Sequence, residues 1–288
     1  MSSKETNTAK LTIFANFYIN TEERLLRMKD SFNSFSQIHA DVWVINCRGK
    51  YRDEVLDFLK DNLGDRLIPF RLNSKEGWFN DTRTMLPAIE SEYVLFWLED
   101  FINLAPVELL NAIVSEMSSN RLEYLIHSFW HFGRLRNRYD GIELTGGRCI
   151  DYFEHTQENN DIIQSNLGGT YIISAASILS TELFSRVILA DDPIPKRWPK
   201  ETPFDFEKAP TDIHWLPLRV AVPREELFAS IDDDNKTPGS CLQSRGLYPM
   251  RIPRQTYAQD CSFLGKLKCN LSRSKNFLKS LFNKTDGK

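Results

Sequence analysis

Residues 93–98 (Tyr-Val-Leu-Phe-Trp-Leu) are six consecutive apolar residues, and Glu99 and Asp100 follow them directly. A run this short and aromatic-rich reads as a strand. With no polar alternation, both of its faces are buried, which places it centrally in a sheet. The backbone must then carry two adjacent carboxylates from the core to the edge of that sheet. Few architectures accommodate both features, and an α/β sheet covered by helices on each face is the simplest.

The preceding residues agree with that architecture. Residues 11–17 form an apolar strand pattern. Thr21, Glu22 and Glu23 then open a helix with Leu25, Leu26, Met28 and Phe32 on its apolar face. Residues 41–47 read as a second strand and 53–62 as a helix stopped by Gly64. Residues 66–72 read as a third strand, and 82–90 as a helix limited by Pro87. Alternating strands and helices imply right-handed βαβ units. Further on, the pattern gives a helix over 106–117, a strand over 122–130, and a polar, loop-like stretch over 134–166. A strand follows at 170–174, then a helix to about 188. Residues 191–210 are irregular with five prolines, 214–222 form a late strand, and 223–258 are turn-rich.

Bulk properties narrow the function. The chain of 288 residues is 41% hydrophobic with a formal charge of −3, so nothing global points to nucleic acid. Five cysteines without a CxxC spacing read as reduced thiols rather than a disulfide framework or a zinc site. No apolar run is long enough to span a bilayer, and residues 1–10 are polar and expected to be disordered. A cytoplasmic protein is expected, with any membrane contact peripheral on the inner face of the cell membrane.

In an open α/β sheet, ligands collect at the carboxyl ends of the strands. Here those ends carry Asn16, Phe17 and Tyr18; Asn46, Cys47 and Arg48; Asn73, Ser74 and Lys75; and Glu99 and Asp100. Carboxylates suit Mg²⁺ or Mn²⁺, which bridge nucleotide phosphates. An acidic pair also serves simply to end a strand and open the next helix. Asn16, Tyr18 and Asn46 carry groups that both donate and accept, suited to a nucleobase or ribose. Asp81 is either a ligand contact or the N-cap of its helix. Trp78 and Trp198 are candidates for a sugar-stacking platform, and Asp232, Asp233 and Asp234 read as a solvated turn.

These segments, in order, resemble the A-fold nucleotide-sugar glycosyltransferases, especially the inverting family-two type. The resemblance covers roughly residues 11–230. TIFANFYINTEERLLRMKDSFNSF is similar to the family's first strand, donor loop and Arg-containing helix. KEGWFNDTRTMLPAIESEYVLFWLED is similar to the segment leading into its acidic metal motif. NLGGTYIISAASILSTELF resembles the Gly-containing acceptor-side strand, and TPFDFEK the later acidic motif. The resemblance implies a Rossmann-like central mixed sheet flanked by helices, with a nucleotide-sugar-binding half (11–120) and an acceptor half (121–258). It implies donor contacts from Asn16, Tyr18, Asn46, Asn80, Asp81, Arg83 and Glu99, and a Mn²⁺ or Mg²⁺ ion on Asp100 and Glu99. It also implies a catalytic base at Glu207, with Asp205 second.

One departure matters. The usual Asp-x-Asp is Leu98-Glu99-Asp100 here, so an apolar residue takes the first acidic place. Metal-independent binding, with Arg83, Lys75 or Arg134, Arg136 and Arg138 as counter-charges, therefore stays open. The implied activity is transfer of a sugar to a hydroxyl of a surface polysaccharide or lipid-linked oligosaccharide. The alternative is a catalytically inactive glycosyltransferase-like scaffold. Residues 259–288 form a separate segment. From Cys261 onward they hold seven Lys/Arg and one acid, with Leu and Phe near helical spacing. Such a basic amphipathic helix either lies on an anionic membrane surface or packs on the body.

Overall fold

The structure is a computed structural model, and it describes residues 10–75, 77–126, 139–167, 176–190, 216–232 and 239–249. Among the described residues, nine strands form one mixed sheet. In chain order they are β1 (Leu11–Tyr18), β2 (Val42–Arg48), β3 (Leu67–Phe70), β4 (Tyr93–Phe96), β6 (Tyr124–Leu125), β7 (Thr145–Gly146), β8 (Ile150–His155), β9 (Ser177–Ser180) and β10 (Leu218–Pro223). Two more, β5 (Phe101–Asn103) and β11 (Phe228–Ser230), pair antiparallel as a small second sheet. The order across the large sheet is β3-β2-β1-β4-β9-β6-β10-β8-β7.

The first four strands run parallel to one another, while β9 runs antiparallel between β4 and β6. The chain builds outward from β1 through β2 to β3, then returns to lay β4 on the other side of β1. The strand order therefore reverses between β1 and β4. A crevice opens at the carboxyl ends of strands flanking such a reversal.

Helices cover both faces. They are α1 (Glu22–Phe35), α2 (Arg52–Leu63), α3 (Trp78–Met85), α4 (Val107–Ser119), α5 (Gln157–Leu167) and α6 (Thr181–Leu189). Thr21 caps α1 by accepting from the Arg24 amide, and Leu25, Met28, Phe32 and Phe35 recur at helical spacing on its buried face. Ser180 caps α6 in the same way, accepting from the Leu183 amide.

Alternation along the central strands sorts the core into two layers. Ile13, Ala15 and Phe17 of β1, Trp43, Ile45 and Cys47 of β2, and Tyr93, Leu95 and Trp97 share a cluster with α1 and α2. Phe14, Val44, Val94 and Phe96 join the opposite cluster with Trp78, Phe79 and the α6 residues Leu183, Phe184, Val187 and Ile188.

The expected mixed central sheet flanked by helices is what the chain adopts, and β4 is central as its unbroken apolarity implied. Some local expectations differ. The helix expected after residue 174 starts only at Thr181, because Ser177–Ser180 form β9, hydrogen-bonded between β4 and β6. The polar stretch over 134–166 contains, within its described part, β8 and most of α5. Also, α3 begins at Trp78, so Asp81 lies in its first turn and Gly77, at φ 95, is the N-cap. The strand expected at 170–174 and the segments 191–210 and 259–288 lie outside the described residues. So do 1–9, including nearly all of the N-terminal segment.

Candidate functional site

Two groups of polar side chains meet the carboxyl edge of β1, β2 and β4, one from each face of the sheet. On the α3 face, Asn16 and Asn46 are register partners on adjacent parallel strands. Asn16 Nδ2 donates to the Trp78 carbonyl (3.2 Å) and to Thr82 Oγ1 (3.1 Å). Its Oδ1 accepts from Asn46 Nδ2 (2.9 Å), which also donates to the Leu72 carbonyl (3.3 Å). Asn46 Oδ1 accepts from the Leu72 amide (2.8 Å). An amide side chain has two N–H donors, so both residues spend theirs inside the protein. Their geometry ties β1, β2, the segment after β3 and the start of α3 into one unit.

Trp78 belongs to that unit. Its Nε1 donates to the Asn16 carbonyl (3.1 Å), and its ring packs edge-on against Phe14, Phe79 and Phe96. It is 1% exposed, a core residue and not a sugar platform.

Two residues further along each strand, on the same face, Arg48 ends β2 beside Tyr18 in register. Arg48 is 4% exposed and Asp81 1%. Arg48 Nε lies 4.0 Å from Asp81 Oδ2, and Asp81 Oδ1 accepts from the Ser74 amide at 3.0 Å. Arg48 Nε, Arg48 Nη2 and Asp81 Oδ2 make no hydrogen bond in the structure. The turn after Arg48 is forced close: a Cβ on Gly49, at φ +94, would sit 2.5 Å from the Ile19 carbonyl oxygen.

On the α1 face, Glu99 is 5% exposed and ion-paired with Arg24 of α1. One turn on, Arg27 pairs with Glu23 and reaches Asp232 Oδ2 at 2.7 Å. Asp232 therefore holds a buried arginine rather than standing only in a solvated turn. The backbone of Asp100 is pinned from two sides. Its carbonyl accepts from the Ile231 amide at 2.7 Å, and Ser31 of α1 donates to the carbonyl of the next residue, Phe101.

The side chain of Asp100 is half-buried beside Glu99 and Asp232. Burial raises its pKa to about 7, Glu99 and Asp232 add to the rise, and Arg24 and Arg27 oppose it. The Cys47 thiol, behind this group, is pushed up to about 12, first by burial and then by Glu99.

The remaining sequence candidates divide. Asn80 is exposed on α3 and Lys75 is exposed before it. Arg83 donates from Nε to the Ile188 carbonyl (3.0 Å) and from Nη2 to the Ala190 carbonyl (3.2 Å), closing the end of α6. Glu207, Asp205, Arg134, Arg136, Arg138, Trp198, Asp233 and Asp234 lie outside the described residues. Arg24 and Arg27 were not singled out from sequence, and Asp232 was read there only as part of a solvated turn. Arg24 carried a signal, since it sits in the Arg-containing helix after the first strand.

Leu98 contributes no side-chain oxygen, Glu99 is engaged by Arg24, and among the described residues no group of three or more His, Cys, Asp or Glu is placed to hold an ion. No helix among the described residues is long and apolar enough to cross a membrane.

No protein-family model matches the chain, and no curated protein does. Several solved structures do. S. aureus TarS 1-349 is similar at 15% identity over 77% of this chain and 60% of that one, with a TM-score of 0.49. The same TarS fragment in complex with UDP-GlcNAc matches at 15% identity, 78% and 59% coverage and a TM-score of 0.48. The mannosyltransferase PcManGT from Pyrobaculum calidifontis, in complex with GDP-Man and Mn2+, matches at 10% identity, 80% and 59% coverage and a TM-score of 0.48. This chain thus spans about 60% of the length of those solved chains.

Proposed function

We propose that the chain is a nucleotide-sugar glycosyltransferase, which moves a sugar from a nucleotide-diphosphate-sugar donor to a hydroxyl with inversion. The acceptor in this reading is a surface polysaccharide or a lipid-linked oligosaccharide. The observation that carries it is the strand reversal between β1 and β4. The carboxyl edge there holds Tyr18 and Arg48 on one side and Arg24, Glu99 and Asp100 on the other. The segment order along the sequence supports the same reading.

The donor lies across that edge. Its base and ribose sit over the ends of β1 and β2, with Tyr18 beside them. Asn16 and Asn46 act by holding the strand ends and α3 in place. Its diphosphate lies toward β4, and exposed Asn80 is free to meet the sugar. Arg83 serves the site by fixing α3 to the end of α6. Asp100 is the carboxylate available to a Mn²⁺ or Mg²⁺ ion that arrives with the diphosphate.

In the acceptor half, Glu207, seconded by Asp205, removes the proton of the attacking hydroxyl. The new C1–O bond forms as the bond to the diphosphate breaks on the opposite face. The basic residues 259–288 place the enzyme at an anionic membrane surface.

A panel of UDP-, GDP- and CMP-sugars, with Mn²⁺ and with a chelator, tests the proposal. It expects donor turnover with one nucleotide class, and loss of turnover in Glu207→Gln. Leu98 and the Glu99–Arg24 pair favour one competing reading, a scaffold without activity. Nucleotide binding with no turnover of any donor, whatever the acceptor extract, would support the scaffold.

A further inference from the structure

We infer that the Arg48–Asp81 pair is the base-reading element of the donor site, and that it selects a nucleobase presenting a carbonyl next to a ring N–H, as uracil and guanine do. The inference rests on the donor-site reading above and adds to it which residues choose the base.

Both side chains are more than nine-tenths buried, at the carboxyl end of β2 and in the first turn of α3. Buried polar atoms in native proteins are almost always hydrogen-bonded, so unpaired ones mark where a partner belongs. Here the unpaired atoms are specific. Nε and Nη2 form one edge of the guanidinium, and both are without a partner. Asp81 Oδ2, 4.0 Å from Nε, is an unpaired acceptor beside them. Asp81 Oδ1 is already taken by the Ser74 amide, so this oxygen is fixed in place.

The partner that completes this arrangement has three properties. It presents an oxygen with two lone pairs, because that oxygen must satisfy two parallel N–H groups. It carries an N–H next to that oxygen, to satisfy Oδ2. It is neutral, since the arginine and aspartate already balance each other, and a phosphate would leave one charge buried without compensation. The adjacent carbonyl and N–H of uracil or guanine meet all three. Adenine has no carbonyl, and its ring nitrogen has a single lone pair, so one arginine N–H would stay unpaired.

The asparagines on the same face cannot take this task. All four of their amide hydrogens are spent on Trp78, Thr82, Leu72 and each other. Tyr18, in register with Arg48, completes the edge at the end of β1.

Calorimetric titration of the full-length protein with UDP, GDP, ADP and inorganic pyrophosphate tests the inference. UDP or GDP is expected to bind at least about tenfold more tightly than ADP, the discrimination one bidentate base contact provides. Arg48→Lys keeps the charge but loses the fork. It is expected to bring the preferred nucleotide down to the ADP level while leaving pyrophosphate affinity where it was.

Equal binding of UDP, GDP and ADP to the wild type would overturn the inference, because a water molecule or a ribose hydroxyl would then be filling the gap. An equal loss of affinity for nucleotides and pyrophosphate in Arg48→Lys would overturn it too, by making Arg48 a phosphate contact. The wild-type comparison decides the question even if the variant does not fold. Failure of every nucleoside diphosphate to bind would instead sink the glycosyltransferase reading on which it rests.

Discussion

Replacing Asp100 by Asn should stabilise the protein, increasingly so as the pH rises. The carboxyl titrates near 7 in the folded chain against an ordinary 3.8, because burial and the charges of Glu99 and Asp232 disfavour its ionised form. A folded-state pKa above the unfolded one means the group costs nothing below about pH 4. The cost then grows as pH rises toward 7 and levels off above it.

At about 1.4 kcal/mol per pH unit, the interval from pH 5 to the plateau spans about two units, for a ceiling of about 2.7 kcal/mol. Asp100 is only half-buried, so water screens part of this, and about 1–1.5 kcal/mol is the expected effect. Urea unfolding of wild type and Asp100→Asn at pH 5, 6, 7 and 8 measures it. Titrations remote from Asp100 are common to both proteins and cancel in the difference, while Glu99 and Asp232, which interact with it, titrate as part of the effect measured. The stability gap between variant and wild type should widen from pH 5 to 7 and then hold. A gap that is constant with pH, or a variant less stable at pH 8 than at pH 5 relative to wild type, would refute the reasoning.

Other substitutions probe the rest of the edge. Arg24→Ala leaves the buried Glu99 carboxylate without its partner and should cost about 3–5 kcal/mol in chemical unfolding. Arg24→Gln combined with Glu99→Gln should recover much of that loss, and no recovery would show that Arg24 matters for some other contact. Asn16→Ala strips partners from Asn46, Thr82 and the Trp78 carbonyl, and should cost about 2–4 kcal/mol, seen as a lowered Tm. Cys47, with its thiol held up at about 12, should resist iodoacetamide at pH 8 in the native protein and react only on unfolding. Rapid native labelling, located by mass spectrometry, would contradict its placement.

Much of the frame was legible because it depends on short-range pattern. The uninterrupted apolarity of 93–98 placed β4 centrally, and the Thr21 cap with the 25-28-32 spacing placed α1. Elements carrying weak patterns were not legible. The α5 sequence QENNDIIQSNL contains three asparagines and a single isoleucine pair, so it reads as loop until tertiary packing gives it a face. Strands β5 and β11 are three residues each and exist only as each other's partner.

The site divides the same way. Glu99 and Asp100 announced themselves at the end of an apolar run. The Arg24–Glu99 pair joins residues 75 apart, and its effect depends on how α1 packs on the sheet. Asn16 and Asn46 looked like free ligands because sequence does not reveal strand register. That register makes them partners on adjacent strands, and their hydrogen bonds go to each other and to α3. Arg48 was visible only as the residue closing a strand; its burial beside Asp81 comes from α3 docking over the strand ends.

A crystal structure of the protein with the nucleoside diphosphate that binds most tightly tests the central claim most directly. The account predicts the nucleotide at the carboxyl ends of β1 and β4, with its base against Tyr18 and the Arg48–Asp81 pair and its phosphates toward Asp100. A nucleotide bound at the amino ends of the strands, or away from the sheet altogether, would contradict it.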